Sequence, residues 1–485
     1  MVGTESSSTQ HGWRDVKISI MDTILLCQAC GHRNLLDATY CADCRTRLLR
    51  GTRVTSEEAE DLEAKRHAVF RRRRIVRWGL VALVLVVVAG WFGYQTLGGA
   101  NRIISPVSVI SANPIAGDWP MFQRSPDHAA FVSDNTPIPK GQVRWRFKTD
   151  APILSSPAVV QGTVYLSTGD RRIVALDADS GEFIWERKVG GAVDSSPAIA
   201  GDLVFVGLKD GRLLALSKTD GSIQWEFSTG GLIYSSPSVY QGVVYIGSND
   251  NSLYALDALT GEKRWSYKTD GRILSDPAVY DNVVAVNSQD RHIYFLDADS
   301  GNHRNDMITS ETKGAPALDE EMAYVANSNG LLLAIDHSKR ELPFEKTARW
   351  VRTQLFVWNM VDTLPPPKGF VWRFRNRREN FVGTPAIGAG MVFVAAQSGA
   401  VYALNRTDGK MLWKFQADAM ITESPSVAGQ TLYVGDSEGA IYGVNTLTGK
   451  LSWQFQLNGR ISSTPVVANG MLYVASDDGT LYAIE

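Results

Sequence analysis

The chain predicts an all-β fold, an eight-bladed β-propeller of four-stranded antiparallel blades, preceded by a small cysteine module and one apolar span. Two periodic markers carry the propeller. Trp145, Trp185, Trp225 and Trp265 fall 40 residues apart, as do Trp413 and Trp453, with Trp372 between the two runs. A second marker, usually a small residue followed by proline, recurs in step at Pro157, Pro197, Pro237, Pro277, Pro316, Pro385, Pro425 and Pro465, which makes eight units. A fixed period near 40 with several short strands per unit is the signature of a propeller or another repeat array.

Residues 231–265 show the unit plainly. SSPSVY (235–240) opens on an alternating strand whose proline is tolerated at a strand start. VVYIGS (243–248) and LYALD (253–257) follow, separated by tight turns, and sister units carry Asp-Gly at the second turn, Asp210-Gly211 and Asp478-Gly479. Thr260-Gly261 then turns the chain into the Trp strand, 263–267. Four antiparallel strands in about 40 residues make one blade. The repeat array opens on a Trp strand (143–149) and closes on LYAIE (481–485), so 143–149 is expected to pair with 480–485 and lock the ring, removing two open edges.

The recurring string A-x-D-x-x-[ST]-G-x-x-x-W, as in ALDALTGEKRW (255–265), resembles the tryptophan-docking motif of quinoprotein-type eight-bladed propellers. That superfamily holds pyrroloquinoline-quinone (PQQ) dehydrogenases and non-enzymatic relatives such as the propeller lipoprotein of the bacterial outer-membrane barrel-assembly machinery. The resemblance covers 143–485 and speaks to fold rather than activity. Physically, each Trp is a large apolar side chain on an outer strand, expected to pack between neighbouring blades. Trp145, Trp185, Trp225, Trp265, Trp372, Trp413 and Trp453 are therefore read as structural docking residues.

All four cysteines lie in CQACGHRNLLDATYCADC: Cys27, Cys30, Cys41 and Cys44, spaced C-x2-C-x10-C-x2-C. Two thiolate pairs suit one closed structural Zn²⁺ site within a module spanning 21–50, and metal binding would drive the folding of so short a segment. The rivals are a redox dithiol or unligated thiols. The string resembles the short zinc ribbons of bacterial and archaeal membrane proteins, except that Arg45 stands where such ribbons usually carry glycine. His32 is superfluous beside four thiolates. Residues 1–20 are polar and unpatterned, reading as disorder or a gene-model extension ahead of Met21.

Residues 55–77 read as a helix that starts on a Thr55/Glu58 capping box and ends in a basic run, Arg71 to Arg74. WGLVALVLVVVAGWFGYQTL (78–97) follows without a charge, long enough to cross a bilayer. The basic side precedes the span, so the positive-inside rule puts the N-terminus in the cytoplasm and the propeller outside, with the protein single-pass in the cell membrane. A cleaved signal peptide would also export the propeller but would leave it unattached. Residues 98–118 read as a tether of up to about 70 Å, and 119–142 as a latch in which Trp119 and Phe122 pack on the propeller and His128 serves a local hydrogen bond.

Formal net charge is −2, with +4 in 1–77 and −6 in 78–485. A mildly acidic propeller argues against nucleic acid. One segment departs from the repeat, an insertion at 338–369 after LLLAID (331–336). Its middle, 344–364, reads as a helix bearing Trp350, Phe356 and Trp358 among basic residues. Such a helix is expected either to fold onto the propeller wall or to meet a partner or membrane. Aligned on their prolines, the units also show six charged departures: Asp194, Asp276 and Glu423 near the innermost strand, and Arg272, Glu311 and Arg460 five residues before the proline. Units four and eight lie opposite in an eight-fold ring, so Arg272 and Arg460 are candidates to face each other at one channel mouth and hold a polar or anionic ligand.

No catalytic triad, phosphate loop or propeller cysteine is present. The resemblance implies that a PQQ dehydrogenase would need a quinone site, Ca²⁺ ligands and an acidic base, and these residues do not supply an obvious set. PQQ is disfavoured. The expectation is a non-catalytic, membrane-anchored propeller that binds a protein or ligand outside the cytoplasm as scaffold or sensor. The alternative is a membrane-tethered PQQ-dependent oxidoreductase.

Overall fold

The computed structural model describes residues 141–485 apart from 313 and 365, and 117–132 before them; nearer the N-terminus it describes 23–27, 33–42, 44–48, 52–55 and scattered positions between 57 and 114, with 139. The chain divides into two compact units, Met1–Arg102 and Ile103–Glu485.

In the first unit, strand Thr23–Leu26 lies between Arg33–Asn34 and Thr52–Thr55, antiparallel to both. Leu25, Leu48, Cys27 and Cys41 form its small core. The third strand extends the module past the expected boundary at 50, because Thr52, Val54 and Thr55 are β-branched and pair with 23–26. The capping box forms as expected: the Glu58 N–H donates to Thr55 Oγ1 at 3.3 Å, and the Thr55 N–H donates back to Glu58 Oε2 at 3.0 Å. The expected disorder of 1–20, Cys30, His32, the basic run 71–77 and most of the spans 78–97 and 98–118 lie outside the described residues. Among the described residues, no helix is long and apolar enough to cross a membrane. At described positions of the span, Trp78, Leu83, Val84, Val86 and Val87 are helical with exposed side chains.

The second unit is a closed ring of eight sheets, each built on four antiparallel strands, and blade seven carries Phe131–Val132 as a fifth, parallel strand beside Ser426–Ala428. Blade one runs Ala158–Val160, Thr163–Thr168, Arg172–Asp177 and Phe183–Lys188. Blade eight is Val466–Ala468, Met471–Ala475 and Thr480–Ile484, completed by Val143–Lys148. Leu481 pairs with Phe147 and Ala483 with Trp145, so the expected closure is what the fold uses. The two middle strands of a blade are almost wholly buried, whereas the outer strand alternates because one of its faces meets water. Each blade also carries a register shift between its third and outer strands, as at Ala175/Leu176 and Ala255/Leu256, which sharpens the twist the ring needs.

The motif works as a docking joint. Trp225 donates its indole N–H to the Ala258 carbonyl at 3.0 Å, 33 residues ahead in the next blade, and Trp145, Trp185, Trp265, Trp372 and Trp413 donate to the corresponding carbonyls. Each of these rings lies on the motif glycine of that neighbour. A Cβ on Gly261 would stand 2.7 Å from the Trp225 ring, and its φ of +72° is itself a glycine conformation. The motif Asp closes the same turn, with Asp257 Oδ1 accepting from the Thr260 N–H at 3.1 Å. Trp453 tilts on Tyr433 like the others, although its indole N–H has no partner among the described residues.

Candidate functional site: a stoppered channel and an exposed helix

The innermost strands line the central channel, and the residue before each proline builds a belt around it. Its backbone N–H donates to the side chain at the same position in the next blade: Ser156 to Ser196 and Ser196 to Ser236, each at 3.0 Å, Thr384 to Ser424 at 2.8 Å, and Thr464 to Ser156 at 3.0 Å. This is why the position is small and hydroxylated. Asp276 is the belt residue of blade four, where its carboxylate accepts from the Ser236 N–H. Ala315, in blade five, has no oxygen to offer the joint from blade four.

Two residues before the proline, Ser195 and Ser235 bond their own second strand: Ser195 Oγ donates to the Gly207 carbonyl at 2.8 Å and accepts from its N–H at 2.9 Å. Glu423 takes that position in blade seven. Desolvation inside the ring pushes the carboxyls of Asp276 and Glu423 up to about 7; the Ser236 N–H pulls the first back, and Arg460 the second. Both remain partly accessible along the wall.

The six charged candidates are not brought to one point. Asp194 pairs with Lys209, and Arg460 with Asp477 at 3.4 Å. Arg272, Glu311 and Arg460 are exposed. Arg272 and Arg460 stand on opposite blades, as expected, and no bond joins them among the described residues.

The other end of the channel is stoppered by the segment expected to latch onto the propeller, although the repeat gives no sign that it crosses every blade. Segment 117–132 crosses all eight innermost strands at the ends where they turn into their second strands. Trp119 exchanges two backbone hydrogen bonds with Val159 at 2.7 and 2.8 Å. The carbonyls of Pro120, Pro126, Asp127, Ala129, Ala130 and Gly117 accept from Ile199, Val279, Leu318, Ile387, Val427 and Asn469, one in each of six further blades. His128 reaches the remaining blade: Nε2 lies 3.3 Å from Ser238 Oγ, and Nδ1 lies 3.1 Å from the Pro316 carbonyl. The expectation of a merely local role for His128 is therefore corrected. It is fully buried, joins blades three and five, and burial pulls its imidazole down to about 4. Trp119 is buried as expected. The signals available were the two prolines and the apolar Trp119 and Met121 in a polar stretch, but a segment outside the period offers no register to read.

The insertion forms a helix at Glu345–Val357, shorter than the expected 344–364, and none of its residues is buried. It is held by charge rather than by packing. Lys346 bonds Asp306 and approaches Glu341 at 3.5 Å, Arg349 approaches Glu341 at 3.6 Å, Lys368 bonds Glu345 at 2.7 Å, and Arg340 bonds Asp297. The helix therefore does not bury an apolar face on the wall. Trp350 is 63% exposed, Trp358 64% and Phe356 37%. Phe344, Ala348, Val351, Leu355 and Val361 line an apolar groove of about 490 Å³ along it.

The insertion also braces a weak joint. Blade four has Asn305 in place of Trp, and Ala285 in place of that ring's aromatic neighbour. Asn305 donates to the Lys368 carbonyl at 3.0 Å, while Arg304 and Arg340 converge on buried Asp297.

Two groups of potential metal ligands stand out among the described residues. The thiol sulfurs of Cys27, Cys41 and Cys44 all lie within 4.8 Å of one another, and those of Cys27 and Cys44 are 3.6 Å apart. Thiolates about 2.3 Å from a tetrahedral zinc sit about 3.8 Å apart, so the spacing fits that ion. Arg45 has φ +57°, the left-handed conformation in which glycine is expected after the last cysteine. The second group is His303, Asp306 and Glu341, beneath the insertion. There the Lys346 ammonium already supplies the positive charge.

A closed eight-bladed ring with Trp-docked blades defines a PQQ-like propeller. Four matches to the family described as outer membrane protein assembly factor BamB cover 134–236, 228–339, 357–456 and 397–485. The chain belongs to that family. Among solved structures, BamB from Moraxella catarrhalis is 18% identical with TM-score 0.56, over 71% of this chain and 97% of its own. Quinohemoprotein alcohol dehydrogenase from Comamonas testosteroni is 16% identical with TM-score 0.61, over 80% and 84%. The computationally designed Ika8 protein is 14% identical with TM-score 0.59, over 71% and 99%. At these identities the likeness is one of fold. No curated protein matches the chain.

Proposed function

We propose that this protein is a non-catalytic scaffold: a propeller held outside the cytoplasm by one membrane span and used to bind a protein partner, with a structural zinc ribbon on the cytoplasmic side. The observation that carries the non-catalytic reading is the channel. One end of it is occupied by 117–132, and its wall is a belt of serines and threonines committed to joining blades. PQQ is a tricarboxylate and calls for cationic and amide partners. The wall offers instead two carboxyls, Asp276 and Glu423, three blades apart, and the cations Arg272 and Arg460 stand only at the exposed loops. That donor set does not fit the quinone. Membership in the BamB family favours assembly over oxidation. One observation favours the oxidoreductase: the two wall carboxyls held near 7 lie in the range a general base uses.

For zinc, Cys27, Cys41 and Cys44 supply three ligands at fitting separations, and Cys30 supplies the fourth by spacing. The ion would tie the two cysteine pairs together. The anchor reading rests on the uncharged span 78–97, the basic run before it, and the exposed apolar side chains at its described positions. Crosslinking in native membranes tests the scaffold role. One stoichiometric adduct between the propeller and a membrane-associated protein is expected, and a propeller that crosslinks to nothing counts against it.

A further inference from the structure

We infer that the insertion helix is a lipid-facing surface that lays its aromatic side on an anionic bilayer. The inference deepens the anchored-propeller reading and rests on it for proximity, since a tether of up to about 70 Å would hold the propeller within reach of the bilayer.

Three observations carry the lipid choice. The first is the arrangement of side chains. At 100° per residue, Glu345, Arg349 and Thr353 fall on one side of the helix, and these are half-buried. Trp350, Val351, Val357 and Trp358 fall on the other and are exposed. Met360, 67% exposed, and Leu364 extend that surface past the helix end. Trp and aliphatic side chains carried together on a short helix suit the boundary between headgroups and acyl chains.

The second is charge. Residues 338–378 hold ten Lys or Arg and three Asp or Glu, a net of +7. The rest of 78–485 holds 25 basic and 38 acidic residues. Six of the ten cations lie within 338–369 together with the exposed aromatic side chains, and Arg352 among them is exposed, whereas Arg375, Arg377 and Arg378 follow at the far end of the outer strand, where Arg375 pairs with Leu331. An anionic bilayer complements both features at once, with each cation near its surface worth about 1 kcal/mol at low salt.

The third is attachment. The helix is fixed by ion pairs, Lys346 to Asp306 and Glu341, Arg349 to Glu341 and Glu345 to Lys368, so its apolar side is left uncovered without loosening the helix.

The test is hydrogen exchange on the full chain in nanodiscs of either zwitterionic or anionic phospholipid, read at peptides covering 344–364. Protection in anionic discs is expected, reduced by high salt and absent in zwitterionic discs. The double substitution Trp350→Ser and Trp358→Ser should weaken this association by roughly 100-fold, tenfold for each partly buried ring. It should leave exchange in the blades unchanged, which separates lost contact from misfolding. Equal exchange in both lipids overturns the proposal. So does protection that appears only when solubilised membrane proteins are added, which would assign the surface to a protein. A chain that never enters discs refutes the anchor instead. The same readout with added anionic vesicles then decides the helix on its own.

Discussion

At the residue scale, the motif glycines and tryptophans act as pairs, and this separates backbone strain from packing. Gly162 and Gly261 both have φ near +75°, at +76° and +72°, but a Cβ on Gly162 meets nothing within 4 Å, whereas one on Gly261 meets the Trp225 ring. Gly162→Ala should cost about 1 kcal/mol, the left-handed penalty alone. Gly261→Ala should cost at least twice that, and Trp225→Ala about 3–5 kcal/mol. Equal losses for the two alanines in urea unfolding would contradict the docking account. The wall carboxyls give a second prediction. Asp276 and Glu423 stay protonated in the fold up to about 7. When unfolded they ionise near 4. Their contribution to stability is therefore complete at acid pH and is lost as pH rises from about 4 to 7. Asp276→Asn keeps the acceptor for the Ser236 N–H and should flatten that fall, gaining about 1 kcal/mol at pH 8 after allowance for its partial exposure. His128 works in the opposite direction, losing stability as pH falls from about 6.5 toward 4, so the readout is the difference between wild type and variant across pH.

At the scale of elements, the joint between blades four and five has lost both internal fasteners, since Asn305 stands for Trp and Ala315 for the belt hydroxyl. The insertion supplies replacements through Arg340, Lys346 and the Lys368 carbonyl. Arg340→Ala should cost only about 1 kcal/mol, because its guanidinium is half-exposed and Arg304 still pairs with Asp297. The loss should fall locally, as faster hydrogen exchange at 303–308 with the remaining blades unchanged. A uniform rise around the ring would mean that the insertion braces nothing. The departure at Asn305 and the aromatic helix were legible in the sequence, because both break a period. The brace was not, because it joins residues 43 apart whose register follows no repeat.

At the scale of the molecule, blade number, ring closure and the Trp joints were legible because each repeats eight or nearly eight times and follows from strand chemistry. The stopper at 117–132 was hidden, because its bonds are made by backbone carbonyls that any sequence possesses. The channel candidates were visible as charges, but only three-dimensional placement shows Asp276 to be a belt residue and Arg272 and Arg460 to be separate exposed side chains. In the N-terminal unit the cysteine spacing made the candidate zinc site legible, and the fold brings Cys27, Cys41 and Cys44 together. Cys30→Ser should reduce zinc from one ion per chain to substoichiometric levels on purification, measured by atomic emission, while the propeller's melting stays unchanged. The central claim, a propeller that joins proteins rather than oxidises substrates, is tested most directly by calorimetric titration of the purified full chain with PQQ and Ca²⁺, followed by a dye-linked oxidation assay on alcohols and sugars. The account predicts no saturable heat and no turnover. Stoichiometric binding accompanied by dye reduction would contradict it and make the wall carboxyls the first residues to examine as the base.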